Sequence, residues 1–132
     1  SYDACWMFGP CDLAFTAMEA AYTHGDAWVD QQLAYLEGNV ETVNTFVAEH
    51  MPGVQVTKHE GTFLMWLDMT CFGKSSRELT SILAKEYGLA LGDGSHYGTQ
   101  AEGFMRLNIG CTRDTLIKGL EQMAVMYDKY VK

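Results

Sequence analysis

Between Gly103 and Gly110, the six residues Phe104-Met105-Arg106-Leu107-Asn108-Ile109 alternate with a period of two. An extended chain has that period, so Met105, Leu107 and Ile109 share one face of a strand and Phe104, Arg106 and Asn108 share the other. A strand with one apolar and one mixed face suits an antiparallel sheet covered on a single side. Arg106 then has two readings. It is a solvated arginine on the wet face, or it is a carboxylate receptor, because a guanidinium fork on a rigid strand matches two carboxylate oxygens.

Composition narrows the partners. At 132 residues the chain is long enough for one ordinary domain, and 48% hydrophobic residues support a real core. Nine Lys plus Arg against seventeen Asp plus Glu give a net charge of -8, which repels phosphate backbones and anionic membranes. Neither nucleic acid nor a membrane is therefore an expected partner. No apolar run approaches the roughly 18 residues of a membrane helix, and no signal-peptide pattern opens the sequence. Cys5, Cys11, Cys71 and Cys111 contain no CxxC pair, so reduced thiols and a cytoplasmic location are expected.

Residues 1–12, with Trp6, Met7, Phe8 and the Gly9-Pro10 break, read as an aperiodic apolar lead-in. A start at Ser1 in such a segment suggests a piece of a longer chain that packs on something absent here. Asp12 is expected to cap a short helix over 13–22. A second helix should run from about Asp26 to Met51 and stop at Pro52-Gly53. Its Val29, Leu33, Leu36, Val40, Val43 and Val47 form one stripe at alternating intervals of four and three.

Val54–His59 and Thr62–Met69 are strand candidates joined at Glu60-Gly61. The second is apolar on both faces, as expected of a central strand or one covered on each side, here by another domain. Ser75 and Ser76 offer N-caps for a helix to Tyr87 that buries Leu79, Ile82 and Leu83 and ends at Gly88. Leu89–Leu91 should be a short strand leading into the loop Gly92–Gly98. Thr112 caps a last helix with an inward stripe of Leu116, Leu120, Met123, Tyr127 and Val131. The order α-α-β-β-α-β-β-α predicts an α+β fold, an antiparallel sheet of three to four strands with helices packed on one side.

Few residues suggest catalysis. The loop Gly92-Asp93-Gly94-Ser95-His96-Tyr97-Gly98 is either a binding loop or an ordinary glycine-rich connection, and its spacing matches no nucleotide fingerprint. His24, His50, His59 and His96 are scattered without i, i+4 pairing, so no metal site is expected. Cys111 sits between a strand and a helix, where a thiolate can be activated, yet no histidine is placed as its base. Lys58, Lys74, Lys85, Lys118, Lys129 and Lys132 fall on turns or solvated helix faces, unlike an imine-forming lysine, which needs a desolvated pocket.

Glu60-Gly61-Thr62-Phe63-Leu64-Met65-Trp66-Leu67-Asp68, then Gly92-Asp93-Gly94, then Gly103-Phe104-Met105-Arg106-Leu107-Asn108-Ile109 follow one another in a recognisable order. With Glu19-Ala20-Ala21-Tyr22, Gly25, Trp28 and Tyr35-Leu36-Glu37-Gly38-Asn39, they resemble the C-terminal part of class I/II, fold-type-I pyridoxal-phosphate aminotransferases. The similarity is greatest to the cystathionine β-lyase, or carbon–sulfur lyase, branch, and covers residue 10 to the end. It implies a lead-in segment and short helix over 1–24 and an aminotransferase-like small domain over 25–132. It also implies that Arg106 grips the substrate α-carboxylate; Asn108 lies on the same face two residues on, and no catalytic role is carried over to it.

In such enzymes the cofactor phosphate site, the aspartate facing the pyridine and the imine lysine lie upstream, in a large domain. The resemblance thus implies pyridoxal 5'-phosphate in the full-length enzyme and none bound to this segment, which is not expected to be active alone. It implies as partners an amino-acid substrate, the missing large domain and a homodimeric whole enzyme, with β-elimination of a thiol or aminotransfer as the reaction. A stand-alone amino-acid-binding or protein-interaction module without catalysis is the alternative.

Overall fold

The structure, a computed structural model, describes residues 11–132; the lead-in predicted over 1–12 falls almost wholly outside them. The chain divides into two compact units, 1–35 and 36–132. The first holds α1 (Asp12–His24) and the opening turns of α2 (Asp26–His50). Helix α1 buries no residue. Asp12 does not cap it: Cys11 occupies the cap position without a side-chain bond, and Asp12 is the first helical residue. There its carboxylate meets the positive end of the helix dipole.

In the second unit the sheet is antiparallel, with order β1-β2-β4-β3 for β1 (Gln55–Val56), β2 (Leu64–Asp68), β3 (Gly92–Asp93) and β4 (Phe104–Asn108). Helices α3 (Ser76–Tyr87) and α4 (Arg113–Tyr130) complete the α+β order read from the sequence. Strands β2 and β4 are the inner pair, with Trp66 opposite Arg106 and Leu67 opposite Met105. The alternation predicted for β4 holds: Met105 and Leu107 are buried, as are Met65 and Leu67 beside them, and Ile109 continues their side. These residues form one cluster with Val43 and Val47 of α2, Leu79 and Leu83 of α3, and Leu116, Leu120 and Met123 of α4. Within this unit α3, α4 and the second half of α2 therefore pack on that face. On the opposite face Leu64, Trp66, Phe104 and Arg106 are half-buried.

The caps explain where the helices stop and start. Ser75 accepts from the Glu78 amide while the Glu78 carboxylate accepts from the Ser75 amide, a reciprocal capping box. Ser76, offered as an alternative cap, instead is buried and accepts at Oγ from the amide of Gly103, 2.7 Å away, tying α3 to the start of β4. Gly103 has φ 83°, and a Cβ there would stand 2.6 Å from Thr70 Cγ2, so glycine is required twice over. Gly88 ends α3 in the left-handed region and Thr112 caps α4, both as predicted.

Four expectations shift. The strand expected at Leu89–Leu91 lies at Gly92–Asp93. Leu89 spends its amide on the Leu83 carbonyl at the end of α3, and Leu91 is drawn into the core, so pairing with β4 begins only after them. Strand β1 is short, although the Thr57 amide still reaches the Trp66 carbonyl at 3.1 Å beyond it. The α2 stripe is buried only in its second half: Val43 and Val47 are enclosed, whereas Val29 and Leu33, in the first unit, are 45% and 53% exposed. At the end of α4, Met126 is buried and Val131 only partly so.

Candidate functional site

Arg106 stands mid-strand on the face opposite the core, between Trp66 of β2 and Gly92 of β3. Gly92 gives it room, since a Cβ there would come within 3.1 Å of both Cβ and Nε of Arg106. A guanidinium only donates, so Arg106 Nη1 donates to the phenol oxygen of Tyr97. The Arg106 Cζ also lies 5.4 Å from the centre of the Tyr97 ring, a cation–π approach. Tyr97 in turn meets Trp66 edge-on, with ring centres 5.3 Å apart. The predicted receptor is thus braced by two aromatic rings on a hydrogen-bonded strand.

The glycine-rich loop is ordered by its own polar groups. It forms a 3-10 turn, Gly94–Tyr97, capped by Asp93. The Asp93 carboxylate accepts from the Ser95 amide at 2.8 Å and from the Ser95 hydroxyl at 2.7 Å. The Ser95 hydroxyl bond is the main reason its pKa lies below the usual carboxylate value. Gly98, at φ 129°, then turns the chain out in a conformation open to glycine. The sequence marked this loop as a possible binding loop without singling out Tyr97, whose one signal is an aromatic ring at the close of a glycine-rich turn. Beside it a groove of about 380 Å³ is lined by Thr57, Trp66, Tyr97, Gln100, Ala101 and Phe104. Its walls are mostly apolar, with Thr57 and Gln100 supplying polar groups.

Beyond Arg106 the strand end is fixed by Asn39, a residue of the Tyr35–Asn39 run to which the sequence reading gives no role. Asn39 of α2 is fully buried and donates from Nδ2 to the carbonyls of Ile109, at 2.8 Å, and Cys111, at 3.2 Å. Its Oδ1 accepts from Arg113 Nε at 2.6 Å. At the preceding Gly38 the Arg113 guanidinium passes close over the helix, where a Cβ would lie 2.6 Å from one of its nitrogens. One amide thus brackets both sides of the β4–α4 turn. Its signal in the sequence is a polar residue within the buried half of an apolar stripe. Asn108, exposed on the Arg106 face, turns its Oδ1 to the Gly110 amide at 2.8 Å.

The remaining candidates stay apart. Among the described residues no group of three His, Cys, Asp or Glu could hold a metal ion. Cys11, Cys71 and Cys111 carry free thiols, and burial with the nearby Asp68 charge pushes the Cys71 thiol above its ordinary value. Lys58, Lys129 and Lys132 pair with Glu60, Glu86 and Asp128, and Lys74 lies over the Tyr130 ring, 5.0 Å from its centre. Glu86 holds the Lys129 ammonium above its ordinary value, the opposite of what an imine-forming amine needs. Lys58, Lys129 and Lys132 are thus engaged in ion pairs at the surface. No helix among the described residues is long and apolar enough to cross a membrane.

No protein-family model matches the sequence. The chain is 39% identical over 110 residues to cystathionine β-lyase PatB of Bacillus subtilis (strain 168), a stretch covering 83% of this chain and 28% of that protein. A pyridoxal-phosphate-bound protein of Clostridium difficile 630, described as an aminotransferase, superposes with TM-score 0.84 at 34% identity, over 88% of this chain and 30% of that one. A Corynebacterium diphtheriae protein described as a pyridoxal-phosphate-dependent β-cystathionase superposes with TM-score 0.81 at 30% identity, over 93% of this chain and 31% of that one. The chain thus spans under a third of the length of the proteins it matches. Sheet order, helix placement and sequence agree: the chain belongs to the fold-type-I pyridoxal-phosphate enzymes, on their cystathionine β-lyase branch, and corresponds to their C-terminal small domain.

Proposed function

We propose that this chain is the substrate-carboxylate-binding part of a pyridoxal-phosphate-dependent carbon–sulfur lyase, with Arg106 as the residue that grips the α-carboxylate of an amino acid. The observation that carries this reading is the placement of Arg106: a guanidinium in the middle of a paired strand, held by Tyr97, on the sheet face opposite the core built with α3 and α4. Residues 25–132 make up the small domain and 1–24 its lead-in. A large domain covers the open face in the whole enzyme, which is a cytoplasmic homodimer, and the cofactor and its lysine belong to that large domain. When bound there, pyridoxal phosphate supplies the electron sink for breaking bonds at the substrate α- and β-carbons. This chain supplies binding and orientation. The reaction class is β-elimination from a cystathionine-type thioether, giving pyruvate, ammonia and a thiol, with aminotransfer the competing outcome. The stand-alone module is the less favoured reading, because the proteins matched are some three times longer.

Two measurements test this. The 132-residue chain mixed with pyridoxal phosphate should develop no imine absorbance band; a stable band abolished by changing one of its lysines would overturn the division of labour. In the full-length protein, Arg106→Ala should raise the substrate dissociation constant by about a hundredfold, since a charged hydrogen-bonded pair is lost. The same change should leave folding nearly unaltered, because Arg106 is outside the core cluster. Unchanged substrate affinity would overturn the assignment.

A further inference from the structure

Arg106 does not present its fork alone. Nη1 donates to Tyr97, and a phenol oxygen that accepts from a guanidinium keeps its own O–H free to donate elsewhere. The ring is held in place by the edge of Trp66 on one side and by the Asp93-capped turn on which it sits. At 56% exposure, Tyr97 is open to an incoming ligand. We infer that Tyr97 is a second carboxylate-binding residue, whose hydroxyl, polarised by Arg106, donates to one oxygen of the α-carboxylate while the guanidinium meets the other.

The inference rests on the carboxylate role proposed for Arg106 and adds a donor to it. A guanidinium alone binds a carboxylate at any edge of its fork. A hydroxyl fixed to Nη1 selects one approach, because only a carboxylate arriving on the Tyr97 side meets both donors. That approach places the rest of the amino acid next to the groove walled by Trp66, Tyr97 and Phe104. Tyr97 so acts on orientation as well as affinity, and the site prefers a planar carboxylate to a group with a single acceptor.

The full-length protein, loaded with its cofactor, provides the test. Tyr97→Phe keeps the ring, the Trp66 edge contact and the approach of the Arg106 cation, and removes only the hydroxyl. Calorimetry would measure dissociation constants for α-aminoisobutyric acid and for isopropylamine, which has the same skeleton without the carboxylate. Tyr97→Phe should weaken the acid about tenfold, the loss of one hydrogen bond to a charged group, and leave the amine unchanged. Arg106→Gln should weaken the acid further and again spare the amine. If Arg106→Gln weakens the acid and Tyr97→Phe leaves it unchanged or tightens it, Tyr97 only covers the arginine and the inference fails alone. If Tyr97→Phe weakens both probes equally, the residue acts through packing and the inference also fails. If Arg106→Gln has no effect on the acid, the proposed function falls, and the inference with it.

Discussion

Replacing Asn39 by Ala is the sharpest single test of how this small domain holds the strand that carries Arg106. The side chain is fully buried and makes hydrogen bonds to Ile109, Cys111 and Arg113. Its two bonds to carbonyls are worth about 1 kcal/mol each, and the charged one about 2 kcal/mol. Cys111 and Arg113 are only half-buried and regain water in the variant, which offsets part of that sum. The expected loss is therefore about 3 kcal/mol, near the upper end of ordinary single substitutions. In a domain of this size that lowers the thermal midpoint by roughly 10 °C. Urea unfolding of the 132-residue chain, followed by circular dichroism and tryptophan fluorescence, measures it. Asn39→Asp distinguishes the two ends of the amide. It keeps an acceptor for Arg113 and turns the donor end into an acceptor facing two carbonyls, so at neutral pH it should also destabilise. A loss below about 1 kcal/mol for Asn39→Ala would refute the bracket, since even one unpartnered buried carbonyl costs that much.

Other substitutions read separate parts of the fold. Ser75→Ala removes the hydroxyl of the capping box and should cost about 1 kcal/mol in the same unfolding assay. The Ser75 hydroxyl is also the main cause of the lowered Glu78 pKa. A depressed folded-state pKa gives stability that is full above the unfolded carboxylate value and is lost as pH falls through the folded one. Ser75→Ala should therefore flatten the acid limb of the stability–pH profile. Gly94→Ala would drive its methyl into the carbonyl oxygens of Phe104 and Ala101, and should cost about 2 kcal/mol or more by the same measurement. Leu67→Ala, at a fully buried position of β2, should cost about 3 kcal/mol, and a neutral result would contradict the one-sided core.

What could be read from the sequence follows from how local each cause is. Helices α3 and α4 are legible from their caps, Ser75 and Thr112, and from apolar spacing that is buried except at Ile82 and Val131, which are partly so. Both causes lie within a few residues of their effect. The alternation of β4 was equally local, and it assigned the two faces before any partner strand was known. Strand β3 was misplaced because the apolar run Leu89–Leu91 belongs to a helix exit and the core, while pairing falls to Gly92–Asp93. Glycine and aspartate carry no strand propensity, so only the opposing Arg106 and Met105 decide that register. Asn39 and Tyr97 stand within stretches that the sequence marks, but their roles do not show there for the same reason: their partners lie 70 to 74 residues away in one case and 9 in the other, across a loop.

The two faces of the sheet divide the labour, and the sequence is economical in how it does so. Met105 and Leu107 lock β4 to the helices from beneath, and Asn39 holds the turn that follows. Between those anchors, Arg106 alternates onto the other face by strand geometry alone, so the residues that make the core also aim the guanidinium. A slip of one residue in β4 would bury Arg106 and expose Met105. Two glycines let the chain pack closely here: a Cβ at Gly103 would meet Thr70 at the strand's start, and one at Gly92 would press on the Arg106 side chain opposite it. Strand pairing and close packing thus act together on the position of Arg106, and small volume changes at Gly92 and Gly103 should shift it even though neither residue offers a side chain of its own.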